Sequence, residues 1–333
     1  MYADTLTSIG REMDDALAIA QESLRAALRA AADAEAQCAA NASQGPARTL
    51  PEPLRVVQPT KMGELKELCT MTARPGDLID LGGLTFYDGG TLKVTRSGTA
   101  QHPIVFSNGE VVRKPGGPTA QIDGAWLVFS DMTFESGSKV VQVRGQHLRF
   151  DTCAFRDAGD ELVKVYNGAV DVEFVDCLWE GAGLVQPDIG EALYVGEHPG
   201  STLARVSDIR VIGGTMRDFT AEGIDMKEGA LGLSVSDLRI DCSRQVGVSF
   251  AGYAGIAIKG TLAVISDVTI INPRVAGVVL LSSANTSLWN VPPQALLERI
   301  TMTSADRRAL HLVENRAATP YLVQRDCAWQ EAG

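Results

Sequence analysis

VSDLRI, residues 235 to 240, and ISDVTI, residues 265 to 270, decide how this chain is read. Each runs apolar, Ser, Asp, apolar, Arg or Thr, apolar. FSDMTF at Phe129 and VSDIRV at Val206 repeat the pattern, and FDTCAF at Phe150, FVDCLW at Phe174 and QRDCAW at Gln324 are looser copies. Successive starts from Phe129 to Ile265 lie 21, 24, 32, 29 and 30 residues apart. A period in the twenties with unequal insertions marks a solenoid whose coils carry loops of different length. The Ser-Asp step reads as a turn device, because Asp bonds nearby backbone N–H groups in turns.

Downstream of each copy lies a second short segment: VVQVRG, LVKVYNG, ALYVGEH, GIDMKEG, GIAIKG, GVVLLSS and ALHLVEN. All alternate, as strands with one buried face do. Val141/Val143, Val163/Val165, Leu193/Val195, Ile224/Met226, Ile256/Ile258, Val278/Leu280 and Leu310/Leu312 are expected to point inward. The expected fold is all-β, a right-handed parallel β-helix over residues 74 to 333 preceded by an N-terminal α-helical segment. Nine or so coils at roughly 4.8 Å each would make a rod about 40 Å long. Cys153, Cys177 and Cys327 share one local pattern and read as small apolar core residues stacked on one another.

Working outward, Lys61 to Thr72 (KMGELKELCTMT) reads as a short amphipathic helix that caps the first coil. Asn41 to Thr60, with four prolines, reads as a linker, so residues 46 to 73 form linker plus cap. Residues 3 to 41 read as helix, with Leu6, Ile9, Met13, Ala16, Ala20 and Ala27 at spacings of three and four. That stripe suits either a helix folded onto its own domain or an oligomerisation and docking segment covering residues 1 to 45.

The formal net charge is -11 with a pI near 4.9 and no Lys/Arg run, which argues against a nucleic-acid partner. The opening MYADTLTSIGREMDD has no positively charged start followed by an apolar run, and no stretch approaches 18 apolar residues. Neither a signal peptide nor a membrane span is expected. The six cysteines lack CxxC spacing, and His102, His147, His198 and His311 are scattered, so no zinc site or catalytic triad is visible.

The strand alignment predicts two outward columns. One runs Gln142, Lys164, Tyr194, Asp225, Ala257, Val279, His311; the other runs Arg144, Tyr166, Gly196, Lys227, Lys259, Leu281, Val313. Glu191 and Glu222 precede their strands, and Glu197 and Glu228 follow them. Lysines attract uronate carboxylates and tyrosines stack on sugar rings, so this surface can bind sugar. The plain alternative is a set of cross-strand ion pairs, with the apolar Ala257, Val279 and Leu281 forming a protein contact. A hydrolase would instead pair Asp225 with Glu197 or Glu191.

ARPGDLIDLGGLTFYDG (73 to 89), SGTAQHPIVF (97 to 106) and VFSDMTF (128 to 134) together resemble the opening of pectate-lyase-like β-helix proteins. They are most similar to the chondroitinase B and alginate lyase branch, and AEGIDMKEG (221 to 229) resembles a coil of many bacterial β-helix proteins. The resemblance implies a polysaccharide lyase acting on an acidic glycan, with Lys227, Lys259 and Tyr194 catalytic and Lys227 as base. Lys164, Tyr166 and Arg144 would bind substrate, and Glu222, Asp225 and Glu228 would hold Ca2+. A helical N-terminal module before a β-helix also looks like a phage virion protein of the tailspike or capsid-decoration type. The leading expectation is therefore a virion-associated homotrimer of a bacteriophage that docks on other virion proteins through residues 1 to 45. It would engage surface polysaccharide, with the calcium-assisted lyase as the alternative.

Overall fold

A computed structural model of the chain describes residues 51–113, 116–198, 201, 203–246, 254–281, 293–304, 311–315 and 321–331. The helix read over residues 3 to 41 lies outside them. Residues 49 to 333 form one compact unit. Within it, every strand pairing is parallel, and strands stack on three faces of a parallel β-helix.

The first face carries the longer strands: 77–88, 104–113, 125–135, 146–151, 170–175, 206–212, 230–236, 261–266, 294–298 and 321–325. A corner leads to a second face of short strands, including 154–156, 178–180, 215–217, 239–241 and 269–271. The first three long strands run unbroken round that corner, which joins the two faces into one sheet of eighteen strands. Among the described residues the third face has nine strands, including 141–143, 163–165, 193–195, 224–226, 254–258 and 276–280.

The corner explains the Ser-Asp repeat. Asp131, Asp176, Asp237, Asp267 and Asp326 all sit there with φ between +48° and +56°. Asp tolerates this left-handed region better than most residues because its short side chain bonds locally. A second left-handed column stands near the start of the first-face strands: Trp126, His147, Asp171, Asp208, Gly232 and Leu262. VSDIRV at Val206 belongs to this second column. Val206 pairs with Ala230, and Val211 pairs with Phe174 and Val235. The equivalence of Val206 with Phe174 and Val235 read from the sequence is thus five residues early. In that coil the corner falls to Gly213 and Gly214, with φ of +70° and +91°. A Cβ on Gly214 would lie 2.2 Å from the Cys177 carbonyl oxygen. Gly214→Ala is therefore expected to cost about 1–3 kcal/mol of unfolding free energy, measured by urea titration.

Like residues stack in the core. Phe106, Phe129, Phe150 and Phe174 form a first-face ladder with ring centroids 5.1, 5.0 and 5.0 Å apart. Phe134, Phe155 and Trp179 form a second ladder beside it at 6.0 and 5.7 Å. Cys153 and Cys177 are buried free thiols on consecutive coils, and their Sγ atoms point at the carbonyl oxygens of Phe129 and Phe150 at 3.3 and 3.5 Å. Cys327 is also free, but lies near the C-terminal end and is only half-buried. On the third face the inward pairs from Val141/Val143 to Val278/Leu280 are all buried, as the alternation predicts.

The N-terminal end is closed by a helix at Met62–Glu67, continued by a wider turn at Leu68–Thr72. Leu65, Leu68 and Cys69 enter the core from it. A three-residue strand, Arg55–Val57, pairs with Asp77–Ile79 inside the span read as linker. So short an edge offers little to a foreign strand. At the other end, Val279 pairs with Glu314, where the sequence alignment had set His311. No described helix is long and apolar enough to cross a membrane.

Candidate functional site

The outward residues of the third face stand in the predicted register from Gln142 to Val279: Gln142, Lys164, Tyr194, Asp225, Ala257, Val279. The second column continues the ladder just past the strand ends. Tyr166 N–H donates to the Val143 carbonyl, Gly196 to Val165, Lys227 to Val195 and Lys259 to Met226. Stacking thus brings Lys164, Tyr166, Tyr194, Asp225, Lys227 and Lys259 together although they span 96 positions of sequence.

Asp225 is the centre of this group. Its side chain is 1% exposed, and both its oxygens meet ammonium groups. Lys227 touches Oδ2, while Lys259 Nζ lies 2.8 Å from Oδ1 and 2.9 Å from Oδ2. Burial alone would raise the Asp225 carboxyl, but Lys227 and Lys259 outweigh it and hold it below the usual carboxylate range. Tyr194 is nearly buried between two cations on its faces. Lys164 Nζ stands 4.2 Å and Lys227 Nζ 4.6 Å from its ring centroid. Burial, with Asp225, Glu191 and Glu161 adding to it, raises the phenol against the pull of Lys227. Arg144 makes a two-pronged pair with Asp123 at 2.7 and 2.9 Å and also meets Tyr166.

Behind the outward column runs a ladder of buried glutamates, Glu161, Glu191 and Glu222, each two residues before its strand. Leu162 N–H donates to the Glu191 carbonyl, and Ala192 N–H to that of Glu222. Lys139 closes one end, 2.9 Å from Glu161 and 3.0 Å from Asp160. Glu191 Oε2 has no hydrogen-bond partner. Burial first, then the charge of Asp225, push the Glu191 carboxyl up to about 8 and that of Glu222 up to about 7. The sequence reading did not single out Glu161 or Lys139. Glu161 was legible from its offset before Val163, which matches those of Glu191 and Glu222.

The geometry bears on three expectations. Lys227 was expected to act as base; burial works towards the free amine, but Asp225, Glu191 and Tyr194 outweigh it and hold the ammonium above its usual range, so that it stands in the site as a cation. The expected calcium ligands do not assemble as a set. Glu222 and Asp225 come together with Glu191, with ligand atoms within 4.8 Å of one another, while Glu228 is no member of that group. Calcium takes six to eight oxygens, whereas here both Asp225 oxygens are already engaged by lysines. The residues present do not fit calcium. Finally, Ala257 and Val279 are 0% and 1% exposed, so this end is no open apolar docking face.

The glutamates make stability pH-dependent. A proton bound to Glu191 in the folded state with a pKa of about 8, against about 4.5 when unfolded, stabilises the fold fully below 4.5. That contribution is lost as pH rises towards 8. Unfolding free energy is expected to fall by a few kcal/mol between pH 5.5 and 8.5. Glu191→Gln should flatten the fall when both proteins are titrated with urea at the two pH values.

No protein-family model matches the chain, and no curated protein matches it. Solved structures do. An alginate lyase from Paenibacillus sp. strain FPU-7 superposes with a TM-score of 0.74 at 22% identity, over 83% of this chain and 98% of that one. The pectate lyase Pel9A superposes with a TM-score of 0.60 at 13% identity, over 83% and 78% of the two chains. At these identities the likeness is one of fold.

Proposed function

We propose that the third face of this β-helix binds an acidic, uronate-containing polysaccharide and cleaves it by β-elimination, without a metal. The observation that carries this reading is Tyr194, a nearly buried phenol set between the ammonium groups of Lys164 and Lys227. The lyase titles of the two superposed structures support it at the level of class alone.

Elimination needs three things at one place. A cation must offset the uronate carboxylate so that the C5 proton becomes removable, a base must take that proton, and the oxygen leaving C4 must receive one. Lys227 and Lys164 supply the cations. Tyr194, as phenolate, takes the C5 proton; the C4–O bond breaks as the C4=C5 double bond forms; the same phenol then protonates the departing oxygen. The two ammonium groups stabilise the phenolate when it forms. Because burial raises the phenol, the rate should climb with pH on the alkaline side. A panel of acidic polysaccharides, followed by the ultraviolet absorbance of unsaturated uronate ends, tests the proposal, and a panel that stays silent sinks it.

A second reading keeps the virion role: a homotrimer docked on other virion proteins through residues 1 to 45, with the β-helix as a decoration or a tailspike-like glycan binder. The saturated pairing of Asp225 with two lysines favours it, since such pairs hold coils together without any ligand. Sedimentation as a trimer that is lost on deleting residues 1 to 45, together with a silent panel, would select it.

A further inference from the structure

The cluster of Glu191, Glu222 and Asp225 has the donor composition of a divalent-cation site and yet is charged with lysines. Three carboxylates from two consecutive coils offer oxygens within 4.8 Å of one another. Glu191 Oε2 is buried and lacks a hydrogen-bond partner. Three carboxyl groups in so dry a place need protons or compensating positive charge. Ca2+ is a common answer; here a second chemistry is present instead.

Lys259 comes from the coil after that of Asp225, and its side chain is only 12% exposed. Its Nζ reaches both Asp225 oxygens, at 2.8 and 2.9 Å. The Lys259 N–H donates to the Met226 carbonyl, so the ladder itself fixes where the side chain starts. Lys227, on the same coil as Asp225, reaches the same carboxylate at Oδ2 and also lies over the Tyr194 ring. It is thus shared with the phenol, whereas Lys259, among the described residues, pairs with Asp225 alone.

We infer that Lys259 takes the place of a divalent cation in this cluster, so that the folded protein is metal-independent and the three carboxylates become a cation site only when that ammonium is removed. The inference concerns the same site as the proposed activity but does not depend on it, since it is read by binding and stability.

The test compares the full chain with Lys259→Met, which keeps the bulk of the side chain and removes its charge, and with Lys259→Gln should the first fail to fold. Each is titrated with CaCl2 by calorimetry and melted with and without Ca2+ or EDTA. Wild type should give no binding heat and an unchanged Tm under either condition. The neutral variant should melt lower than wild type, bind Ca2+ at one site per chain and regain a few degrees in Tm when it is saturated. Adding Glu191→Gln to that variant should abolish the gain. Stoichiometric Ca2+ binding by wild type that Glu191→Gln removes would overturn the inference. So would a folded Lys259→Met or Lys259→Gln protein that takes up no Ca2+.

Discussion

Tyr194→Phe is expected to lower the rate of uronate elimination by about 10²–10⁴-fold, the span that positioned proton transfer contributes. The substitution removes one oxygen and leaves the ring between Lys164 and Lys227, so the cation contacts of the folded protein survive. Thermal unfolding should therefore match wild type, and initial rates on the most responsive polysaccharide would separate chemistry from folding. A Tyr194→Phe protein with unimpaired turnover would remove the phenol from the mechanism. Lys227→Ala is a poorer probe. The sequence alone suggests an exposed lysine whose loss costs little, but Asp225 beneath it is buried. Removing one partner of a buried pair costs about 3–5 kcal/mol, reduced here by the remaining Lys259. Lys227→Ala should lose activity and stability together.

Phe150→Ala is expected to cost about 3–5 kcal/mol of unfolding free energy. Phe150 is fully buried in the middle of the first-face ladder, stacked 5.0 Å from both Phe129 and Phe174 and edge-on to Phe155 at 5.6 Å. Its loss leaves a cavity that neighbouring coils cannot close, because each is held in register by the strands above and below. It also removes two stacked pairs and one edge contact, which contribute beyond the area they bury. Urea denaturation of the variant should be compared with Arg217→Ala. Arg217 is half exposed and pairs with Glu180 on the surface, so its loss should cost less than about 1 kcal/mol. Equal effects from the two would mean that the ladder does not carry the core.

The alternation of apolar and polar residues determined the third face almost completely. From Val141 to Leu280, a slip of one residue would have turned every buried Val, Leu and Ile outward, so one register was possible and the outward columns followed from it. The same logic places Lys164, Tyr194, Asp225, Lys227 and Lys259 side by side. The first-face motif was less decisive, because Ser-Asp suits any left-handed position. At Val206 it fills the second left-handed column, while Gly213 and Gly214 turn the corner that Asp176 and Asp237 turn elsewhere. Only stacking against Phe174 and Val235 distinguishes the two sites.

What the tertiary structure alone decided is charge and depth. The sequence shows lysines and carboxylates on one face but not that Asp225 is buried between two ammonium groups, that Glu191 Oε2 is buried near it without a hydrogen-bond partner, or that Lys227 is thereby held above its usual range. Pattern fixes direction, since a side chain on a strand points in or out. Solvation depends on how far loops from several coils shut water out and on which charges meet across coils, and those are sums over residues far apart in the chain.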